Sequence, residues 1–401
     1  MDLKILAKQY GTPLYVYDFD LLKKNFLAFK EAFSGRKSLI CYALKANSNL
    51  LLLKFLASLG AGADCVSLNE IRRAFLAGIP KYKIIFSGVG KRDDEIEEAL
   101  KRDILFLNLE SSQEMYRVEQ IAKDLDLKAR VSVRVNPNID AKTHPYISTG
   151  LSENKFGVEI ELAKEMYVYI KNSPFMEAVG IHFHIGSQLC ELSPILEAST
   201  KIATLYRSLL ALGLEIKFFD VGGGLGIAYE DENLISLNDY AQGILSTLKG
   251  GEPTIICEAG RRIVGECGLF ITQVLGEKEN EKKRFVIVDG AMNDLMRPSL
   301  YQAVHQARLI SSSEAAESLC DVVGPICESG DYLAKNILLP PTKAGDLIAF
   351  SNAGAYGFSM SSQYNSRQRV AEVALSEGEH KLIRKREEFE DLIARELECL
   401  K

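Results

Sequence analysis

The sequence predicts an α/β protein: a (β/α)8 TIM barrel joined to a second, β-rich domain. Between residues 38 and 260, eight short apolar stretches typical of buried strands alternate with amphipathic stretches of helical spacing. Strands that alternate with helices form parallel sheets, and eight such units close into a barrel of about 250 residues. After residue 262, short β-like runs are separated by Gly, Pro, Asn and Asp without intervening helices.

The eight predicted barrel strands are short and apolar. In chain order they are SLICYALK, GADCVS, KIIFSG, ILFLNL, ARVSVRVN, AVGIHFHIG, IKFFDVGG and TIICEAG. The stretches between them, such as NEIRRAFLAG and SQEMYRVEQIAKDL, have helical spacing, and several end in Gly, as helices often do. An open doubly wound sheet is the competing interpretation, but no GxGxxG follows the first strand.

The second domain is predicted from the β-like runs GLFITQVLGEK, KRFVIVDG, CDVVGPICESGD and AGDLIAFSNAGAYG. The amino-terminal PLYVYD also has the pattern of a strand and is expected to join this domain. We therefore expect the barrel at residues 23–262 and the β-rich domain at residues 1–22 and 263–401. Near the end, KREEFEDLIARELECL predicts a surface helix.

Composition and charge exclude several classes of function. A chain of 401 residues with 47% hydrophobic and 25% charged residues is typical of a globular protein. The net charge of -6 is mild and spread along the chain, which argues against nucleic-acid or membrane partners. The eight cysteines form no CxxC pair and no zinc-like spacing, so we expect reduced thiols, no metal site and a cytoplasmic location.

Polar residues stand where the barrel strands end, and this is where barrel enzymes place their chemistry. Lys45 ends the first strand, Gly222–Gly224 follows the seventh, and Glu258 follows the eighth. A lysine amine forms a Schiff base with an aldehyde, and a carboxylate facing a pyridine nitrogen keeps that ring protonated. Backbone N–H groups of a glycine turn bind phosphate, and Ser187 is placed to add a hydrogen bond. Aldehyde, pyridinium and phosphate together predict pyridoxal 5'-phosphate as the cofactor.

A histidine of HFHIGSQ is expected to stack on the cofactor ring. His182 and His184 lie two residues apart and therefore on the same face of the strand, so alternation does not separate them. We assign the stacking to His184 because it is closer to the phosphate loop. Taken alone, a histidine on a strand is more often a structural residue.

Ten motifs occur in order along the chain: YALKAN, GADCVSLNE, THPYISTGL, KFGV, HFHIGSQ, VGGGLG, EAGR, MNDLMRPSLY, CESGD and AYG. In this combination the chain resembles the group IV pyridoxal-phosphate-dependent decarboxylases, which have an alanine-racemase-like barrel. It is most similar to the members of that family that act on diaminopimelate. The resemblance extends from PLYVYD to IRKREEFEDL, nearly the whole chain.

The resemblance implies a role for each matched residue. Lys45 forms the Schiff base, and Cys327 donates a proton. The residues expected to bind the cofactor are Lys45, His184, Ser187, Gly223, Gly224, Glu258, Ala259, Gly260, Arg261 and Tyr356. Those expected to bind substrate are Arg261, Arg297, Tyr301, Glu328 and Tyr356. The resemblance also implies a head-to-tail homodimer in which Cys327 and Glu328 reach the active site of the partner subunit.

The implied reaction is decarboxylation of meso-2,6-diaminopimelate to L-lysine and CO2, the last step of lysine biosynthesis. Arginines suit the remaining carboxylate of this substrate, and the carboxylate of Glu328 suits its distal ammonium. The alternatives are carboxynorspermidine decarboxylase and the decarboxylases of ornithine, lysine or arginine. A racemase would be expected to carry a different second catalytic group. A non-catalytic homologue would be expected to lack Lys45 or Cys327.

Two positions depart from the family pattern. Ala259 replaces the proline of a Glu-Pro-Gly-Arg motif, which frees one backbone φ angle while Glu258 and Arg261 are retained. Asn69 replaces a glycine, and we expect a turn with positive φ there, which Asn tolerates better than most residues.

Overall fold

The structure is a computed structural model that describes residues 2–140, 154–281, 283–310 and 315–400. The motif THPYISTGL, at residues 143–151, lies outside the described residues. The chain divides into two compact units. The barrel unit comprises residues 23–228 and 232–263, and the β-rich unit comprises residues 1–22, 229–231 and 264–401.

The first two described elements are helix α1 (Leu3–Tyr10) and strand β1 (Leu14–Asp18), and both belong to the β-rich unit. The barrel unit contains a closed barrel of eight parallel strands, arranged in chain order. This confirms the predicted fold class. The barrel strands are β2 (Ser38–Ala43), β3 (Gly62–Cys65), β4 (Ile84–Phe86), β5 (Phe106–Leu109), β6 (Ala129–Arg134), β7 (Met176–His182), β8 (Phe218–Asp220) and β9 (Thr254–Cys257).

Helices alternate with these strands, as the spacing predicted. They are α2 (Phe19–Ala32), α3 (Leu50–Ser58), α4 (Leu68–Leu76), α5 (Asp93–Lys101), α6 (Ser112–Asp124), α7 (Ile160–Asn172), α8 (Leu192–Ala211), α9 (Leu237–Thr247) and α10 (Arg261–Val264). Four of them begin after a side chain that accepts a hydrogen bond from a free backbone N–H of the first turn: Asn49, Ser67, Ser111 and Ser236. Each such cap stabilises its helix by about 1 kcal/mol.

The turn with positive φ that we expected at Asn69 is absent from the structure. Asn69 is the second residue of α4, because Ser67 caps this helix by accepting a hydrogen bond from the N–H of Glu70. A cap at residue 67 requires helical backbone from residue 68 onward. The prediction for Asn69 was therefore wrong.

The interior of the barrel is filled by apolar side chains from different strands. Cys41, Ile85, Phe106, Val179 and Ile256 form one buried cluster and come from five separate strands. Side chains that point inward from so many strands close the space within the barrel. The polar residues at the carboxyl ends of the strands therefore lie above a packed apolar interior.

The β-rich unit contains a mixed sheet of nine strands, which confirms the predicted second β-rich domain. In the sheet, β1 pairs in parallel with β16 and antiparallel with β10, so PLYVYD joins this unit. Its other strands are β10 (Gly268–Asn280), β11 (Lys283–Val288), β12 (Ala307–Leu309), β13 (Ser318–Val323), β14 (Tyr332–Leu339), β15 (Leu347–Phe350), β16 (Ala371–Ser376) and β17 (Glu379–Arg384). Its helices after β10 are α11 (Arg297–Tyr301) and the exposed α12 (Phe389–Cys399). Among the described residues, no helix is both long enough and apolar enough to cross a membrane.

Candidate active site

Lys45 lies just beyond the first barrel strand. Strand β2 ends at Ala43, and Lys45 is the middle residue of the 3₁₀ turn Leu44–Ala46 rather than the last strand residue we predicted. Its side chain is 38% exposed, and its Nζ lies 3.1 Å from Oδ2 of the fully buried Asp64. Burial and the charge of Glu258 raise the pKa of Asp64, while Lys45 opposes them. The amine is thus fixed by a buried carboxyl group and still reachable from solvent.

The glycine turn after β8 packs closely against main chain on two sides. A Cβ atom on Gly223 would lie 2.1 Å from the carbonyl oxygen of Glu258, and one on Gly224 would lie 2.2 Å from that of Gly186. Gly224 also has φ of +110°, which side chains rarely tolerate. The close packing against neighbouring carbonyl groups therefore leaves no room for a side chain at Gly223 or Gly224.

The structure separates the two histidines that alternation left equivalent. His182 is the last residue of β7, and its Nε2 lies 3.3 Å from Oε2 of Glu258. His184 follows the strand, and its Nδ1 accepts a hydrogen bond of 3.2 Å from the N–H of Gly223. The two rings therefore contact different parts of the predicted site.

The hydrogen bond from Gly223 also determines the protonation state of His184. Burial lowers the pKa of this imidazole well below its ordinary value, and the positive charges of Arg134 and Lys45 add to the effect. A neutral imidazole that accepts at Nδ1 carries its proton on Nε2. His184 thus presents a neutral ring, which suits stacking on a cationic pyridinium.

Glu258 is the ionised carboxylate of the site. It follows β9, and 4% of its side chain is exposed. Burial alone would raise its pKa, but the charge and hydrogen bond of His182 and the charge of Lys45 bring the pKa below its ordinary value. The neighbouring Asp220 is fully buried, and burial with the charge of Glu258 raises its pKa well above normal. The negative charge therefore resides on Glu258.

The residues after Glu258 pack against the lysine segment. The carbonyl oxygen of Ala259 accepts a hydrogen bond of 3.2 Å from the N–H of Ala43. A Cβ atom on Gly260 would lie 3.1 Å from that of Ala46, which is tighter than most real contacts. The buried Arg261 begins α10, and its Nη2 donates to Oγ of Ser187 at 3.2 Å. In the barrel unit the structure thus brings together Lys45, His184, Ser187, Gly223, Gly224, Glu258, Ala259, Gly260 and Arg261.

The remaining predicted site residues lie in the β-rich unit. Arg297 begins α11 and is 6% exposed. Its Nη1 lies 2.9 Å from Nε2 of His305, and its guanidinium lies 4.5 Å from the centre of the Tyr229 ring. Tyr301, half-buried, ends the same helix. The half-buried Tyr356 has φ of +58°, a conformation that a bulky residue adopts only where its surroundings hold it.

Cys327 and Glu328 are both exposed. The N–H of Cys327 donates to Oδ1 of Asn365 at 3.1 Å, and Oε2 of Glu328 accepts from the Tyr364 hydroxyl at 3.0 Å.

The buried Asp331, which the prediction did not include, connects the motif CESGD to the motif MNDLMRPSLY through hydrogen bonds. Its two carboxylate oxygens accept hydrogen bonds of 2.7 Å from the N–H groups of Met292 and Ile326.

The sequence analysis also missed a buried ionic network in the barrel unit. Nζ of Lys91 lies 2.7 Å from Oε1 of Glu114, and Nη1 of Arg134 lies 2.8 Å from Oε1 of Glu110. The N–H of Glu110 donates to Glu114, which links the two pairs. The sequence held a clue to this network, because Glu110 directly follows the predicted strand ILFLNL and Arg134 lies near the end of the predicted strand ARVSVRVN. Charged residues buried at such positions are expected to be paired.

Comparisons with known proteins identify the family of the chain. Residues 19–265 match the family model described as "Pyridoxal-dependent decarboxylase, pyridoxal binding domain". The chain is 59% identical to the diaminopimelate decarboxylase of Campylobacter jejuni over 402 residues, which cover 100% of both chains. It is 60% identical to that of Helicobacter pylori strain J99 over 98% of both chains.

A solved structure shows the same similarity. The crystal structure of Helicobacter pylori diaminopimelate decarboxylase complexed with L-lysine superposes with a TM-score of 0.97 at 59% identity. The superposition covers 99% of this chain and 100% of that chain.

Proposed function

The chain belongs to the diaminopimelate decarboxylases, a branch of the pyridoxal-dependent decarboxylase family, and on this premise we propose that it converts meso-2,6-diaminopimelate to L-lysine and CO2. The protein is a pyridoxal-phosphate-dependent carboxy-lyase. The observation that carries this conclusion is the 59% identity over the full length of this chain and of the Campylobacter jejuni enzyme. The reaction would complete lysine biosynthesis.

The barrel unit fits pyridoxal 5'-phosphate group by group. Lys45 offers an amine for the aldehyde, and the ionised Glu258 offers a partner for the pyridine nitrogen. The turn at Gly222–Gly224 has no room for side chains, because Cβ atoms there would lie against neighbouring carbonyl oxygens, and its backbone would face the phosphate with Ser187 as a further donor. His184 offers a neutral ring for stacking. When bound, the cofactor supplies an electron sink for the electron pair that the departing CO2 leaves behind.

Lys45 would hold the cofactor through its amine, and Asp64 sets the charge around that amine. Nζ of Lys45 donates a hydrogen bond to Asp64. Burial of Asp64 favours its neutral acid form, whereas the positive charge of Lys45 favours its carboxylate form. Asp64 is therefore poised to take up or release charge as the amine changes from a free ammonium to a bound group.

Recognition of the far end of the substrate is assigned to the β-rich unit. The guanidinium of Arg297 is held by His305 and by the face of the Tyr229 ring, so its fork has a fixed orientation. A fixed guanidinium fork matches a carboxylate in geometry and charge. The exposed carboxylate of Glu328 suits the distal ammonium. We assign supporting contacts with substrate to Arg261, Tyr301 and Tyr356.

Cys327 is the proposed proton donor. Loss of CO2 leaves a carbon that must gain one proton, and Sγ of Cys327 would supply it. The thiol is exposed, whereas proton transfer to a reactive carbon requires a site that excludes water. We therefore propose a homodimer in which Cys327 and Glu328 of each chain complete the site of the partner.

We propose that the protein acts in the cytoplasm. All eight cysteines are free thiols. Free thiols are typical of proteins kept in a reducing environment.

The function is tested by measuring CO2 release from cofactor-loaded protein with a panel of substrates. The panel contains meso-, LL- and DD-diaminopimelate, ornithine, lysine and carboxynorspermidine. Activity with diaminopimelate and none with ornithine, lysine or carboxynorspermidine is expected, because Arg297 and Glu328 together suit a far end that carries both a carboxylate and an ammonium. Preference for the meso isomer over the LL and DD isomers is expected from the family resemblance. Preference for ornithine or carboxynorspermidine would contradict this assignment of substrate.

The shared site is tested by mixing two inactive variants, Lys45→Ala and Cys327→Ala. Recovery of part of the activity after subunit exchange is expected, because one site of the mixed dimer would combine an intact Lys45 with an intact Cys327. No recovery, with exchange verified by differently tagged chains, would show that each site is built from one chain.

A further inference from the structure

Three carboxyl groups crowd the site in the barrel unit. Asp64 and Asp220 are fully buried, and Glu258 is 5% exposed. A carboxyl oxygen of Asp220, a carboxyl oxygen of Glu258 and a ring nitrogen of His182 lie within 4.8 Å of one another. Like charges this close in a buried site do not all ionise, so their surroundings decide which group carries the charge.

The hydrogen-bond donors are distributed unequally among the three carboxyl groups. Glu258 has a polar partner at each oxygen: the Ser87 hydroxyl 3.4 Å from Oε1 and His182 Nε2 3.3 Å from Oε2. By contrast, Oδ1 of Asp64 and Oδ2 of Asp220 have no hydrogen-bond partner among the residues that the structure describes. A carboxylate is stabilised as an anion by donors at both oxygens.

The surroundings of Ser87 and His182 orient both of them as donors. Oγ of Ser87 accepts a hydrogen bond of 3.0 Å from Nδ2 of Asn108, so its own hydrogen is available to donate to Glu258. His182 is 1% exposed, and within the described part of the chain its Nδ1 has no hydrogen-bond partner. An N–H at Nε2 therefore has Glu258 as its partner, whether the ring carries one proton or two.

We propose that His182 is a positioning residue that makes Glu258, rather than Asp64 or Asp220, the ionised carboxylate that meets the pyridine nitrogen of the cofactor. This inference rests on the proposed role of Glu258 in the decarboxylase. The pKa values shift in the same sense, since that of Glu258 is lowered and those of Asp64 and Asp220 are raised. His182 acts through Glu258 and has no assigned contact with substrate.

The test compares two amide variants, His182→Gln and His182→Asn. The Gln amide nitrogen reaches about as far as Nε2 of histidine and can still donate to Glu258, whereas the shorter Asn amide cannot. Loss of a hydrogen bond to a charged group is expected to weaken cofactor binding by about 10- to 100-fold in His182→Asn, and His182→Gln is expected to restore most of it. His380→Gln, a change at a histidine of the β-rich unit, serves as the matched control.

Three readouts are taken on each variant: cofactor affinity from titration of the apoprotein followed by visible absorbance, kcat and KM at saturating cofactor, and the unfolding temperature of the apoprotein. His182→Asn is expected to lower kcat with KM changed less than about twofold, because substrate binding does not involve His182. Equal cofactor affinity in the Gln and Asn variants would overturn the inference, even if both variants were less stable than the wild type.

Glu258→Gln distinguishes failure of this inference from failure of the proposed function. If Glu258→Gln retains cofactor affinity and turnover, the assignment of Glu258 is wrong and the inference falls with it. If Glu258→Gln loses both while His182→Asn retains both, the decarboxylase assignment stands and only the role of His182 is wrong.

Discussion

The buried pair of Lys91 and Glu114 provides a sharp test of the energetics of the barrel unit. Their side chains are 1% and 6% exposed, and Nζ lies 2.7 Å from Oε1. Nζ also donates to the carbonyl oxygens of Gly88 at 2.8 Å and Asn108 at 2.6 Å. Lys91→Met retains most of the apolar stem but leaves the Glu114 carboxylate buried without its cation.

Removing one member of a buried ion pair costs about 3–5 kcal/mol, because the remaining charge stays desolvated. For a unit of this size, each kcal/mol changes the unfolding temperature by about 2–4 °C, so Lys91→Met is expected to lower it by about 6–20 °C. The double variant Lys91→Met, Glu114→Gln removes the unpaired buried charge of Glu114 and is expected to recover at least half of the decrease in unfolding temperature.

The assay is thermal unfolding of the barrel unit in the full chain, followed by calorimetry. Lys101→Met is the matched control, because Lys101 forms an ion pair with Glu97 in which the side chains are 56% and 46% exposed. An exposed pair of this spacing contributes at most about 0.5 kcal/mol. Equal shifts for Lys91→Met and Lys101→Met would refute the argument, as would a double variant no more stable than Lys91→Met.

Three further predictions concern the site and its surroundings. Gly223→Ala is expected to destabilise the protein by about 1–3 kcal/mol and to weaken cofactor binding, because its Cβ would lie 2.1 Å from a carbonyl oxygen. An unchanged melting temperature and an unchanged cofactor affinity would contradict this packing argument. Burial raises the pKa of Glu70 from 4.5 to about 7, so the native state holds a proton that the unfolded chain loses in this range, and stability falls as pH rises through it. Glu70→Gln is expected to remove that fall in a series of melting temperatures between pH 4.5 and 7. Cys327→Ala is expected to bind cofactor normally and to lose most turnover; normal turnover would exclude it as the proton donor.

Local sequence signals predicted much of the fold because they reflect burial within single elements. Apolar runs of four to eight residues and helical spacing between them identified all eight barrel strands. Element ends were less well predicted: β2 stops at Ala43, two residues before Lys45, and Asn69 is helical. Ends depend on capping and on the packing of neighbouring segments, which the apolar pattern does not record.

The sequence by itself determined the fold class, the family and the candidates for cofactor chemistry, because periodicity, glycines and an ordered set of motifs are local features. Tertiary structure alone decided which histidine faces Glu258 and which accepts from Gly223, since a spacing of two residues does not distinguish them in the sequence. Closure of the barrel also placed Asp64 beside Lys45 and paired Lys91 with Glu114. These contacts join residues on different strands and helices, and the charge each group carries depends on neighbours that only the folded chain brings within hydrogen-bond distance.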